Sequence, residues 1–93
     1  MGRVYGDQVE VHTRQDGRPA RFAWRGRLYA VRAVQEHWIV NRAWWRESVP
    51  VPAHPELEFW RVAASPGQDQ PTGTYELRRD IAAGTWTLRR IAD

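Results

Sequence analysis

The sequence predicts an all-β fold, a small curled antiparallel sheet or open barrel of five to six strands, and three observations lead there. Apolar residues recur at a period of two in several separate runs, as a half-buried strand requires. Clusters of Gly, Pro, Asn and Asp punctuate those runs. No strand–helix–strand spacing is present that would build a parallel sheet.

Val9 and Val11 alternate with Glu10 and His12, and Gln15, Asp16 and Gly17 supply turn chemistry after this first strand. Pro19 ends the turn. Phe22 and Trp24 then alternate with Arg21, Ala23 and Arg25 until Gly26 allows a tight reversal, so both aromatics are expected to face the core. From Arg27 to Val40 the segment RLYAVRAVQEHWIV is rich in β-branched and aromatic residues and has no helix-starting cap. It reads as one long strand, with helix as the minor alternative. Its alternation shifts phase from Tyr29, Val31 and Ala33 to Val34, Trp38 and Val40, which predicts a bulge or bend near Ala33.

Residues Asn41 to Pro55 contain Pro50, Pro52 and Pro55, which forbid helix and remove ladder donors, so a loop is expected there. Strand character resumes over Leu57 to Ala64, with Trp60 and Val62 opposed to Phe59 and Arg61. A polar loop follows over about 65–73. Tyr75 with Leu77, and Trp86 with Leu88, form two alternating runs around Asp80 to Gly84 and predict a hairpin. The whole chain, 1–93, reads as one domain without internal repeats.

At 93 residues such a domain buries only about 60 to 65 per cent of the surface its unfolded chain exposes. The 6 Trp, 3 Tyr and 2 Phe compensate, since each ring removes roughly 150 to 250 Å² from water. Core packing is the first expectation for Trp24, Trp38, Trp60 and Trp86. Cysteine is absent, which excludes disulfides and thiolate metal sites and makes the cytoplasm the expected compartment. No apolar run approaches the roughly 20 residues that span a bilayer, so no membrane association is expected. Met1 to Asp7 is too polar for a signal-peptide core, and Gly6 stands where a myristoylation motif places Ser or Thr.

All 14 basic residues are arginine, against 11 acidic ones. A GC-rich genome produces that bias without any functional demand; the functional account is selection of a guanidinium for stacking and for bidentate contacts to phosphate or carboxylate. The net charge of +3 is mild.

Catalytic chemistry finds little support. His12, His37 and His54 are dispersed, so no metal and no cofactor is expected. Ser48 and Ser65 lie in Pro-containing loops without a nucleophile-elbow pattern. Glu56 and Glu58 project from one strand face about 7 Å apart, which admits a small enzyme if both face a concave pocket; ordinary solvated charges on an edge strand are the plainer account. A non-enzymatic role is therefore expected.

Arginines interleaved with aromatics stand out instead. Trp24-Arg25-Gly26-Arg27 lies in the first hairpin, and Arg42 with Trp44-Trp45-Arg46 in the Pro-rich loop. Adjacent residues of an extended segment point opposite ways, so one of Trp44 and Trp45 is the candidate exposed anchor. Arg78-Arg79 and Arg89-Arg90 are brought side by side by the hairpin, each pair sending one arginine to either face, which marks Arg78 and Arg89 as a second surface. Such mixtures make protein hot spots, and they also bind single-stranded DNA by stacking on bases and holding phosphates. With so mild a charge, a protein partner is the first expectation and single-stranded DNA the second. A structural subunit that self-associates through a sheet edge is a further class. The sequence leaves the oligomeric state open.

The order FAWRGRLYAVRAVQEHW, WW, FWRV, TGTYELRRD and GTWTLRRIAD resembles a family of small proteins of high-GC bacteria classed as a domain of unknown function. Members are often encoded beside an inactive-looking Y-family polymerase homologue and an error-prone replicative-type polymerase. The resemblance covers nearly the whole chain and implies a place in DNA repair by translesion synthesis. It assigns no catalytic residue.

Overall fold

A computed structural model describes residues 3–41, 56–67, 69–81 and 83–92, all as strands, turns and connections, with no helix among them. Six strands follow in chain order: β1 (Arg3–Thr13), β2 (Pro19–Trp24), β3 (Arg27–Asn41), β4 (Glu56–Ser65), β5 (Gly73–Asp80) and β6 (Thr85–Ala92). Each pairs antiparallel with the next, and β6 returns to β1, so the sheet closes into a barrel.

The expectation of a curled sheet or open barrel resolves into a closed one because β1 is longer than its alternating core Val9–His12 implied. Its first half ladders with β6, from Arg3 opposite Ile91 to Val9 opposite Trp86, across an irregularity between Val4 and Asp7. That irregularity and Gly6 hide the strand from a period-two reading.

Closure aims one side chain in two inward. Val9, Phe22, Trp24, Tyr29, Trp60, Val62, Ala64, Leu77, Trp86 and Leu88 form one buried cluster, with Phe22, Val62, Leu77 and Leu88 sealed from solvent. Phe22 stacks on its cross-strand neighbour Tyr29 at 5.0 Å between ring centres, and Tyr75 closes on both at 5.5 and 5.3 Å.

The phase shift in β3 is real and double. Its register against β4 slips between Val31 and Ala33 and again between Val34 and Glu36. Trp38 is consequently not in the core: it lies on the outer face, because the two slips return His37 and not Trp38 to the inward side, level with Trp60. The β2 rungs reach β3 only at Arg27–Ala30, so beyond that point β3 is laddered by β4 alone among the described strands.

At the β2–β3 turn both central residues have positive φ, 50° at Arg25 and 76° at Gly26, the geometry of a two-residue hairpin whose twist matches its strands. Asp7 ties this turn to β1: Trp24 Nε1 donates to Asp7 Oδ2 at 2.8 Å, and Arg25 Nε lies 3.2 Å from the same oxygen. The Trp24 hydrogen bond, helped by Arg25, holds the Asp7 carboxyl below its ordinary pKa despite the opposing effect of partial desolvation.

Candidate functional site: an aromatic and arginine face outside the barrel

The outer face of β3 to β6 carries an aromatic pair outside the main buried cluster, in which Phe59 is covered to 6 % exposure and Trp38 is half-buried. Trp38 and Phe59 are cross-strand neighbours whose rings stack nearly parallel, 5.3 Å between centres and 2° between planes. Val40 and Leu57 form the next outward pair along the same two strands, and Val40 is 45 % exposed. Arginines flank the aromatic pair. The Arg61 guanidinium sits 5.5 Å from the Trp38 ring centre and that of Arg89 5.3 Å from the Phe59 ring centre.

These arginines are also paired with carboxylates on the same face. Arg61 Nη1 reaches Glu36 Oε1 at 2.6 Å and its Nη2 lies 3.5 Å from Glu76; Arg89 lies 4.0 Å from Glu76. Arg78 stands level with Phe59 on β5, its Nε buried and without a hydrogen-bond partner in the protein. The surface is therefore an apolar centre rimmed by locally balanced charge.

The expected binding arginines separate. Arg78 and Arg89 join this outer face. Arg25 is engaged in its own turn, over the rings of Tyr5 at 5.2 Å and Trp24 at 4.7 Å and beside Asp7, so it locks the hairpin. Arg27 is exposed at the start of β3, level with Trp24. Arg42, Trp44, Trp45 and Arg46 lie outside the described residues, as does His54.

Glu58 faces the barrel interior near the end where β3 leaves and β4 enters. Its Oε2 is 2.9 Å from His37 Nε2, and its Oε1 is 3.7 Å from Arg79 Nη1. The His37 ring lies flat on Trp60 at 3.7 Å, and Arg79 sits 5.7 Å from the Trp86 ring centre. The Glu58 carboxyl thus lies between the His37 ring and the Arg79 guanidinium, while Glu56 is half-buried at the last rung of the β3–β4 ladder. Among the described residues, no group of three or more His, Asp or Glu converges as metal ligands.

Two features escape a reading by sequence. The Trp38–Phe59 stack was hidden by the second slip of β3, which no local pattern announces. A second set of arginines, Arg14, Arg18, Arg21 and Arg32, is scattered in sequence yet gathered around β2 and β3. The one signal for it is that Arg21 lies opposite in parity to Phe22 and Trp24 and so must point outward.

A family model described as "Domain of unknown function (DUF6504)" matches residues 1–93. The chain belongs to this family. No curated protein and no solved structure matches it. The family thus has, in this chain, a closed six-strand barrel whose outer face holds an aromatic pair between arginines.

Proposed function

We propose that the domain is a non-catalytic accessory module of a DNA-repair or translesion-synthesis assembly, acting in the cytoplasm and docking a partner protein on the outer face of β3 to β6. The observation that carries this reading is half-buried Trp38 stacked on buried Phe59 outside the main cluster, extended by exposed Val40 and flanked by Arg61 and Arg89. Binding energy at protein interfaces concentrates in aromatic and arginine side chains, with charged groups at the rim. Because Glu36 and Glu76 balance the rim arginines, the face favours a protein over a polyanion. The assembly itself rests on the family resemblance and its neighbouring polymerases.

A catalytic role for Glu56 and Glu58 has less support, since the Glu58 carboxylate is engaged by His37 and Arg79. Titration of the purified chain with the neighbouring Y-family homologue and the error-prone polymerase, by calorimetry, tests the docking reading. Binding to one of them is expected, weakened at least about tenfold by Trp38→Ala, equivalent to about 1.4 kcal/mol. Failure to bind either protein, or undiminished binding by a folded Trp38→Ala variant, refutes it.

A further inference from the structure

A second face of the barrel has the opposite electrostatic character. Two shallow depressions lie along β3. One, of about 130 Å³, is lined by Arg14, Arg18, Pro19 and the stretch Val31–Val34; the other, of about 320 Å³, by Arg21, Leu28, Ala30, Arg32 and Ser65–Gly67. Arg32 lines both and joins them. It occupies the first slip of β3, between the rungs of Val31 and Ala33, where a bulged residue is turned out of the ladder. Its Nε donates to the hydroxyl of buried Ser65 at 3.1 Å, which fixes the stem of the side chain.

All four arginines are exposed, and no carboxylate lines either depression. Among the described residues, only Arg18 has a charge partner there, Asp16 at 3.3 Å within its own turn. His12 stands beside Arg21 on β1, and the nearest outward acid on that strand, Glu10, belongs to the next row, level with Ala23. The charge is thus unbalanced along one track, in contrast to the neutralised rim around Trp38. From Leu28 to Val34 the track covers about 20 Å at roughly 3.3 Å per residue, enough for several consecutive anions of an extended polymer. Its apolar lining is aliphatic, with Leu28 52 % exposed and no aromatic ring, so it offers nothing for a base to stack on.

We propose that this track, built from Arg14, Arg21 and Arg32 with Arg18 at its end, binds the phosphodiester backbone of a nucleic acid without reading its sequence. Guanidinium forks match phosphate oxygens, and repeated phosphates match a linear series of arginines better than any single small anion does. The site is independent of the protein-docking face and stands or falls separately from it.

The test is fluorescence anisotropy of the full chain with a labelled single-stranded 20-mer (roughly the track length several times over) and with the duplex of the same sequence, from 50 to 200 mM salt (a range of about fourfold). Three unpaired arginines predict affinity falling about 20-fold over that range for a single strand and about 40-fold for a duplex. The steeper or tighter of the two identifies the form bound. The double variant Arg14→Gln/Arg21→Gln, at exposed positions that leave Ser65 its partner, should cut the single-strand salt effect to about threefold. Trp38→Ala should bind the oligonucleotide like the parent. Absence of binding at 50 mM salt (about the low end of that range), an unchanged salt effect in the folded double variant, or equal binding of poly-glutamate each overturns the proposal.

Discussion

Replacing Trp38 and Trp60 separately by alanine tests the division between a load on the outside of the barrel and one within it. The two rings lie one rung apart on neighbouring strands and face opposite sides. Trp60 belongs to the buried cluster and also supports the stacked His37 ring, so its truncation opens a cavity and should cost about 3 to 5 kcal/mol. Trp38 is only partly buried; it loses a stacking contact with Phe59 worth about 0.5 to 1.5 kcal/mol and a cation–π contact with Arg61 worth about 0.5 to 1 kcal/mol. The expected total is about 1 to 2.5 kcal/mol. A domain of this size has about 5 to 14 kcal/mol in all, so Trp38→Ala stays folded while Trp60→Ala approaches the limit. Urea unfolding followed by far-UV circular dichroism reads the difference without depending on the remaining tryptophans. With a slope of about 1 to 1.5 kcal/mol per molar, the Trp38 midpoint should fall by about 1 to 2 M and the Trp60 midpoint by at least about 2 M. Equal losses in the two variants would show that the outer aromatic pair is a second core, and the docking argument would fail with it.

Three further outcomes follow from the geometry. Glu58→Gln removes the charge facing Arg79 and alters the His37 contact, and a loss of about 1 to 2 kcal/mol should lower the melting temperature by about 5 to 10 °C; an unchanged melt would show that the carboxylate does not anchor this end of the barrel. Gly26→Ala meets no atom within 4 Å but places a Cβ at φ 76°, so it should cost about 1 kcal/mol in urea unfolding through backbone strain alone, and a neutral result would contradict the left-handed turn. Asp7 has a folded pKa below its unfolded value of about 3.9, so its contribution to stability is present above that value and is lost as pH falls through the folded pKa. Asp7→Asn should therefore show a shallower loss of stability than the parent below about pH 4, measured by denaturant titration at a series of pH values, and parallel curves would refute the assignment.

The inward residues of β2, β5 and β6 were legible because short strands bounded by turns keep strict parity: Phe22, Trp24, Tyr75, Leu77, Trp86 and Leu88 lie where alternation puts them. The same rule gave Trp60 and Val62. It fails where a strand slips. One bulge near Ala33 is visible as a change of phase, but the second, between Val34 and Glu36, reverses the side on which Trp38 and His37 emerge, and only pairing with β4 reveals it. Closure was illegible for a related reason: the β1–β6 rungs join residues at opposite ends of the chain, and nothing local encodes them. The arginines divided in the same way. Alternation with inward Leu77 on its own strand places Arg78 outside, whereas the gathering of Arg14, Arg21 and Arg32 depends on register across three strands.

The seam between Arg3 and Ile91 sets how this molecule acquires its structure. A meander missing its last strand exposes backbone donors and acceptors on two borders at once, and every inward side chain near β6 loses a wall. During synthesis β1 must wait for β6, so the chain passes through its most adhesive form just before β6 pairs. Stability should accordingly be acquired in one step when β6 pairs, and damage to β1 or β6 should unzip the whole cylinder, not fray one side of it.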